Sequence, residues 1–179
     1  IQTEAAGSAR PGQFISMYTN DGSKLLPRPI SICEIDKEGG KLRVVYRVTG
    51  EKTGTEEFSQ MKAGDTIPVI GPLGNGFPFE KAEGKKVFLM GGGIGVPPIL
   101  ELAKQMECEK KQIVVGYRDA HTFLKEEFEQ AGELYISTED GSVGTKGNVM
   151  DAIRENALEA DMIYACGPTP MLRAIKQYA

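Results

Sequence analysis

The pattern of apolar and polar positions along the chain changes near Glu83. Up to that residue, short runs rich in β-branched and aromatic residues lie between Gly, Pro, Asn and Asp, as in GQFISMY, RPISICEID, KLRVVYRVTG, EEFSQM and DTIPVIGPLG. Runs of this kind are typical of short strands in antiparallel sheets. The pattern therefore predicts a small antiparallel β-barrel over residues 1–83, with one strand missing at its start.

From Gly84 onward, strand patterns alternate with helix patterns. KKVFLMGG precedes VPPILELAKQM, QIVVGYR precedes TFLKEEFEQA, ELYISTED precedes NVMDAIREN, and DMIYACG precedes PTPMLRAIKQYA. The helical stretches repeat apolar residues at helical spacing, and the strands are nearly all apolar, as in a parallel sheet covered on both faces. Residues 84–179 are therefore predicted to form a doubly wound α/β domain with about four parallel strands, which gives the chain a β + α/β fold.

The stretch VFLMGGGIGVPPIL, from Val87 to Leu100, predicts a strand, a tight glycine turn and a helix in that order. Proline lacks an amide hydrogen and suits the first turn of a helix. Such a turn directs backbone N–H groups and a helix N-terminus at one point, where phosphates bind. The G-x-G-x-x-G fingerprint is matched only in part, because Val96 occupies the third glycine position. Close packing of the helix on the strand remains the alternative role for these glycines.

The carboxyl ends of the predicted parallel strands carry small and polar residues. These ends are GGGIG at 91–95, GYRD at 116–119, STEDGS at 137–142 and CGPTP at 166–170. Ligands of doubly wound sheets bind outside the carboxyl ends of the strands. The convergence of four such segments favours a nucleotide site at this edge.

Charge and composition exclude several classes of function. A net charge of −4 argues against nucleic acid as a partner. Cys33, Cys108 and Cys166 are far apart and odd in number, which indicates neither a disulfide framework nor a C-x-x-C metal site. His121 is the one histidine and there is no G-x-S-x-G elbow, which argues against a His-rich zinc site and a Ser–His–Asp hydrolase. No apolar run is long enough to span a membrane, and the opening IQTEAAGSAR does not resemble a signal peptide. We expect a cytoplasmic protein without a membrane or nucleic-acid partner.

RPIS at 28–31, GGGIG and CGPTPML together resemble the ferredoxin–NAD(P) reductase superfamily. PGQF, RPISIC, VVYRVTG, GPLGNGF, GGGIGVPP, EDGSVGTKG and YACGPTPML are more similar still, in the same order, to segments of the electron-transfer subunits of class B dihydroorotate dehydrogenases. The resemblance implies an FAD-binding barrel followed by an NAD-binding α/β domain. It implies hydride transfer from C4 of NADH to N5 of FAD, which is chemistry of the cofactors and needs no catalytic side chain.

The resemblance also implies the FAD contacts. The Arg of R-P-I-S would meet the FAD pyrophosphate, and the Ser would lie near the reactive edge of the flavin ring. The family's next strand runs quickly into Gly-x-Gly-Thr, whereas TGEKTGTEEFS spaces these residues further apart here. The alternatives are a solvated surface charge for Arg28, an ordinary strand hydroxyl for Ser31 and an exposed hairpin loop for TGEKTGTEEFS. The implied residues are Arg28, Pro29, Ile30, Ser31, Tyr46, Arg47, Val48, Gly54 and Thr55.

The NAD contacts follow in the same way. The glycine turn would receive the pyrophosphate, and the segment after the second strand would meet the adenosine ribose. At that position an acidic residue favours NAD, whereas an arginine favours the 2′-phosphate of NADP. Because Arg118 and Asp119 are adjacent, the residues leave the choice between NAD and NADP open. Only the resemblance favours NAD. Asp140 would line the adenine side or form a turn, and Cys166 to Pro168 would close over the nicotinamide. The implied residues are Gly91, Gly92, Gly93, Ile94, Gly95, Arg118, Asp119, Asp140, Cys166, Gly167 and Pro168.

Longer members of the family carry a cysteine-rich segment that binds a [2Fe–2S] cluster. The cluster relays electrons to the FMN of a separate catalytic subunit, dihydroorotate dehydrogenase, in pyrimidine biosynthesis. This chain has no such cysteine cluster, so we expect a fragment of such a subunit, with a truncated relative that lacks the cluster as the alternative. We expect the chain to bind FAD and NAD, to belong to a hetero-oligomer, and not to deliver electrons to that partner by itself. The alternatives are the flavin subunit of another ferredoxin–NAD(P) reductase-like oxidoreductase or of a soluble hydrogenase, and a non-catalytic domain that keeps the fold.

Overall fold

The computed structural model describes residues 1–179 and divides into two compact units, Ile1–Gly76 and Phe77–Ala179. The sequence pattern changes near Glu83, whereas residues 77–83 lie with the second unit and include a short 3₁₀ turn at Phe79–Ala82. The predicted fold class is confirmed, since an antiparallel sheet precedes a parallel sheet with helices. No helix has both the length and the apolar character needed to cross a membrane.

The first unit is built on a four-stranded antiparallel sheet. Its strands are β1 (Phe14–Met17), β2 (Arg28–Asp36), β3 (Lys41–Val44) and β4 (Val69–Leu73), in the order β3-β2-β1-β4. Alternate residues face the core of the unit, because successive side chains of a strand point to opposite faces. Ile15, Ile32 and Leu42 come from three of the strands and pack with Phe58 in this core.

EEFSQM was predicted as a strand, and this prediction is wrong. Residues 56–60 lie in the helix α1 (Gly54–Gln60), and Met61 is its C-cap. Thr53 Oγ1 accepts a hydrogen bond from the amide of Glu56 at 3.3 Å, which caps the helix, and Phe58 anchors it in the core. The predicted strand KLRVVYRVTG is also too long, since β3 ends at Val44.

The second unit is a five-stranded parallel sheet in the order β8-β7-β6-β5-β9. The strands are β5 (Lys86–Gly92), β6 (Lys110–Tyr117), β7 (Glu133–Thr138), β8 (Thr145–Lys146) and β9 (Met162–Cys166). The two-residue β8 was not predicted. The helices are α2 (Pro97–Gln105), α3 (Lys125–Ala131), α4 (Val149–Glu155) and α5 (Thr169–Tyr178).

Helix contacts place α2 with α3 and α4 with α5. Val149 and Ile153 of α4 and Ile175 of α5 form a buried cluster with Phe88 and Val114 of the sheet. The chain passes from β5 to β6 on one side and returns to β9 on the other side of β5. The strand order therefore reverses at β5, and the carboxyl end of that strand is where such sheets open a ligand crevice.

Candidate functional site

The glycine-rich segment has the predicted order of strand, turn and helix. Gly91 and Gly92 end β5, Gly93–Gly95 form a 3₁₀ turn, and α2 begins with Pro97. The two prolines of the first turn of α2 supply no N–H group. A phosphate at this point must therefore be held by amides of the turn itself.

Two of the glycines are explained by packing within the unit. A Cβ atom on Gly95 would lie 2.3 Å from the carbonyl oxygen of Cys166, and one on Gly91 would lie 2.9 Å from Cα of Val96. Both neighbours are backbone atoms, which cannot turn aside as a side chain can. The packing interpretation of the sequence analysis therefore holds for these two positions.

Gly93 is different, because it faces open space. Its φ is +55°, and a Cβ atom there would meet no atom within 4 Å. The next residue, Ile94, is 49% exposed. Gly93, Ile94 and Gly95 form a single 3₁₀ turn directly before α2. An open glycine in a backbone turn before a helix leaves an anion room to approach the chain closely.

The loops after β6 and β7 bring Arg118, Asp119 and Asp140 together. The amide of Asp140 donates to the carbonyl oxygen of Arg118 at 3.3 Å. The His121 amide donates to Asp119 Oδ1 at 2.9 Å, and the ring Nδ1 lies 2.7 Å from the same oxygen. These bonds lower the pKa of Asp119 below its ordinary value.

Asp140 is held in the same manner by its own loop. Its Oδ1 accepts from Ser142 Oγ at 2.7 Å and from the Ser142 amide at 2.9 Å, and these bonds lower the pKa of Asp140. Asp119 is near enough to act on this carboxyl electrostatically. Two ionised carboxylates therefore stand at this edge at neutral pH, next to one exposed arginine.

Cys166 ends β9 and lies opposite Gly91 in the parallel register. Burial raises the pKa of its thiol, so the thiol is neutral at pH 7 and is not a nucleophile. Gly167 and the exposed Pro168 follow, and α5 begins at Thr169. The sequence analysis missed Met171, whose sulphur lies over Gly92 and Gly167; no sequence signal distinguishes it from a core methionine.

In the first unit, the structure brings Arg28, Gly54 and Thr55 together. The Nε atom of Arg28 would lie 3.1 Å from a Cβ on Gly54, so the guanidinium packs closely against this glycine. Arg28 Nη1 also donates to the carbonyl oxygen of Leu26. Thr55 is 5% exposed, and its Oγ1 accepts from the Thr49 amide at 3.1 Å. The guanidinium and the start of α1 thus form one potential anion site.

The other predicted FAD residues are more scattered. Pro29 is exposed and pairs with Ser16, whereas Ser31 is half-buried and pairs with Phe14. Ile30 and Tyr46 pack against the core of the first unit, and the Tyr46 ring meets Phe58 edge-on, with 6.1 Å between centroids. Arg47 and Val48 are exposed beyond the end of β3.

The sequence is similar to an oxidoreductase domain family and to a set of electron transfer subunits. Residues 89–177 match the oxidoreductase NAD-binding domain family. The chain is 47% identical over 174 residues to the dihydroorotate dehydrogenase B (NAD(+)) electron transfer subunit of Geobacillus sp. (strain WCH70), which covers 93% of this chain and 66% of that protein. It is 46% identical over 173 residues to the subunit of the same name from Bacillus caldolyticus, with 94% and 66% covered. The chain belongs to this family of electron transfer subunits.

The chain spans 66% of the length of these curated relatives. A solved NADH-dependent reduced ferredoxin-NADP oxidoreductase has a TM-score of 0.85 and 32% identity, over 99% of this chain and 64% of that one. The ferredoxin reductase in carbazole 1,9a-dioxygenase has a TM-score of 0.74 at 22% identity, over 94% and 55%, and shows the fold alone. Family membership therefore places the chain in the ferredoxin–NAD(P) reductase superfamily, as its motifs predict.

Proposed function

We propose that this chain passes reducing equivalents between NAD(H) and FAD. The observation that carries the proposal is the open Gly93 turn at the carboxyl edge of the parallel sheet. When bound, FAD would accept a hydride from C4 of NADH at its N5 and could release electrons one at a time. The chain's own task is to bind and align the two cofactors and to exclude water.

On the NAD side, the backbone of the Gly93–Gly95 turn binds the pyrophosphate, and Gly93 leaves it room to approach. Cys166, Gly167 and Pro168 line the nicotinamide. The neutral thiol supports a contact role for Cys166 and no redox role. Gly91 and Gly92 support the turn from the end of β5.

On the adenosine side, Asp119 accepts a hydrogen bond from the ribose 2′-hydroxyl, and Asp140 lines the adenine beside it. Their ionised state supports a preference for NAD over NADP, because two carboxylates repel a 2′-phosphate. Arg118 is exposed beside them and is the residue that would lessen this repulsion.

On the FAD side, Arg28 binds the pyrophosphate together with the backbone of Gly54 and Thr55. A fixed guanidinium matches the geometry of phosphate oxygens. Ser31 donates a hydrogen bond to the flavin ring. Further FAD contacts are proposed at Pro29, Ile30, Tyr46, Arg47 and Val48.

We further propose that the complete protein works with a catalytic FMN subunit of dihydroorotate dehydrogenase in a hetero-oligomer. The names of its relatives support this partner. Within residues 1–179, no group of three or more His, Cys, Asp or Glu residues is placed to hold a metal ion. A [2Fe–2S] relay would therefore take its ligands from a longer chain. A cytoplasmic location stays a prediction.

The test measures the rates at which FAD-loaded, desalted protein passes electrons from NADH to ferricyanide and to the FMN subunit. We expect rapid reduction of ferricyanide and no reduction of the FMN subunit by residues 1–179 alone. Protein that retains FAD but leaves ferricyanide oxidised would contradict the reductase function. Direct reduction of the FMN subunit would contradict only the proposed relay, and ferredoxin as a preferred acceptor would point to a different partner.

Asp119→Asn should reduce the preference for NADH over NADPH by about tenfold, since it removes one charge that repels the 2′-phosphate. The preference is the ratio of the two kcat/KM values for ferricyanide reduction. Asp65→Asn is the matched control: Asp65 also holds a loop amide, that of Lys62 at 2.8 Å, and the variant loses the same charge in the first unit. An unchanged ratio in Asp119→Asn would remove this residue from the ribose site.

A further inference from the structure

Met171 lies across the ends of two neighbouring strands. It belongs to the first turn of α5 and is half-buried. Its Sδ would lie 2.4 Å from a Cβ on Gly92, at the end of β5, and 2.7 Å from one on Gly167, which follows β9. The sulphur therefore occupies the space that a side chain at either glycine would enter.

The turn after β5 (Gly93–Gly95) and the turn after β9 (Cys166–Pro168) also meet through their backbones. Gly91 of β5 pairs with Cys166 of β9, and Gly95 leaves no room for a Cβ beside the Cys166 carbonyl. The spacing of the two turns is thus fixed from one side by backbone contact and from the other by the Met171 thioether. An unbranched, polarisable side chain suits such a narrow gap.

We propose that Met171 is a positioning residue that sets the distance between the phosphate-binding turn and the Cys166–Pro168 turn. This inference rests on the proposed function, in which the first turn holds the pyrophosphate and the second lines the nicotinamide. Met171 then affects how the nicotinamide half of the dinucleotide is held. The adenosine half, at the ends of β6 and β7, is independent of it.

Met171→Ala empties the space over both glycines and lets the Cys166–Pro168 turn shift. We expect the affinity for NADH to fall about tenfold, while the affinity for ADP-ribose, which lacks the nicotinamide, stays within about twofold. Anaerobic titration calorimetry of the chain loaded with FAD that has first been reduced by dithionite measures both affinities, because reduced FAD accepts no hydride from NADH. Met171→Leu refills the space with a side chain of similar volume and should restore most of the NADH affinity.

Met150→Ala is the matched control. Met150 is 5% exposed, and both methionines contribute to the same apolar cluster, but Met150 lies on α4. This variant should lower the thermal unfolding temperature at least as much as Met171→Ala and leave the ratio of the NADH and ADP-ribose affinities unchanged.

The outcomes separate this inference from the proposed function. If the unmodified chain binds neither NADH nor ADP-ribose, both fail together. If it binds both and Met171→Ala leaves their ratio unchanged, or weakens them equally, only the role of Met171 is refuted. A changed ratio in Met150→Ala would also refute it, since any core defect would then have the same effect.

Discussion

Gly95→Ala is expected to lower kcat/KM for NADH by at least about a hundredfold, the largest effect of any substitution in this unit. The added Cβ would lie 2.3 Å from the carbonyl oxygen of Cys166, 2.5 Å from its carbonyl carbon and 2.7 Å from Cα of Gly167. All three atoms belong to the backbone, so the two turns must move apart by about an ångström. Overpacking of this kind costs about 1–3 kcal/mol of stability.

The measurement combines steady-state kinetics with thermal unfolding of the same sample. Gly7→Ala is the control, because a Cβ on Gly7 meets nothing within 4 Å and its φ is not positive. It should change neither quantity. Nearly normal NADH kinetics in Gly95→Ala would mean that the close approach of the two turns does not matter for the reaction.

Arg28→Ala should weaken FAD binding by about a hundredfold. The substitution removes a charge-assisted, two-pronged contact with the pyrophosphate, and such bonds contribute about 1.5–3 kcal/mol each. Arg28→Lys keeps the charge but not the planar fork and should give an intermediate affinity. Quenching of flavin fluorescence during titration gives the dissociation constants.

Arg43→Ala is the control for this experiment. Arg43 lies on β3 of the same sheet, where it pairs with Glu34 and is about half exposed. Its loss removes the same charge without touching the Arg28–Gly54 site. If the two variants bind FAD equally well, the pyrophosphate does not lie at Arg28.

Local sequence signals predicted most of the second unit. The two prolines and the preceding glycines determine the strand, turn and helix from neighbouring residues alone, so no distant contact was needed to predict them. β8 was missed because two residues are too short to form a periodic pattern. The helix α1 was mistaken for a strand, although Thr53 and Glu56 form the T-x-x-E signal of a helix start.

The roles of individual glycines could not be predicted. Gly93 and Gly95 are two residues apart, yet one faces open space and the other the Cys166 carbonyl far along the chain. Sequence reasoning treats them alike, because the difference arises from how β9 packs beside β5. The contact of Met171 with Gly92 and Gly167 was missed for the same reason.

The visible absorption spectrum of the FAD-loaded, desalted chain, recorded under anaerobic conditions before and after NADH is added, tests the central claim most directly. The account predicts that the flavin absorption is retained after desalting, bleaches on addition of NADH, and bleaches much more slowly with NADPH. Protein that keeps its FAD spectrum unchanged in the presence of excess NADH would contradict it.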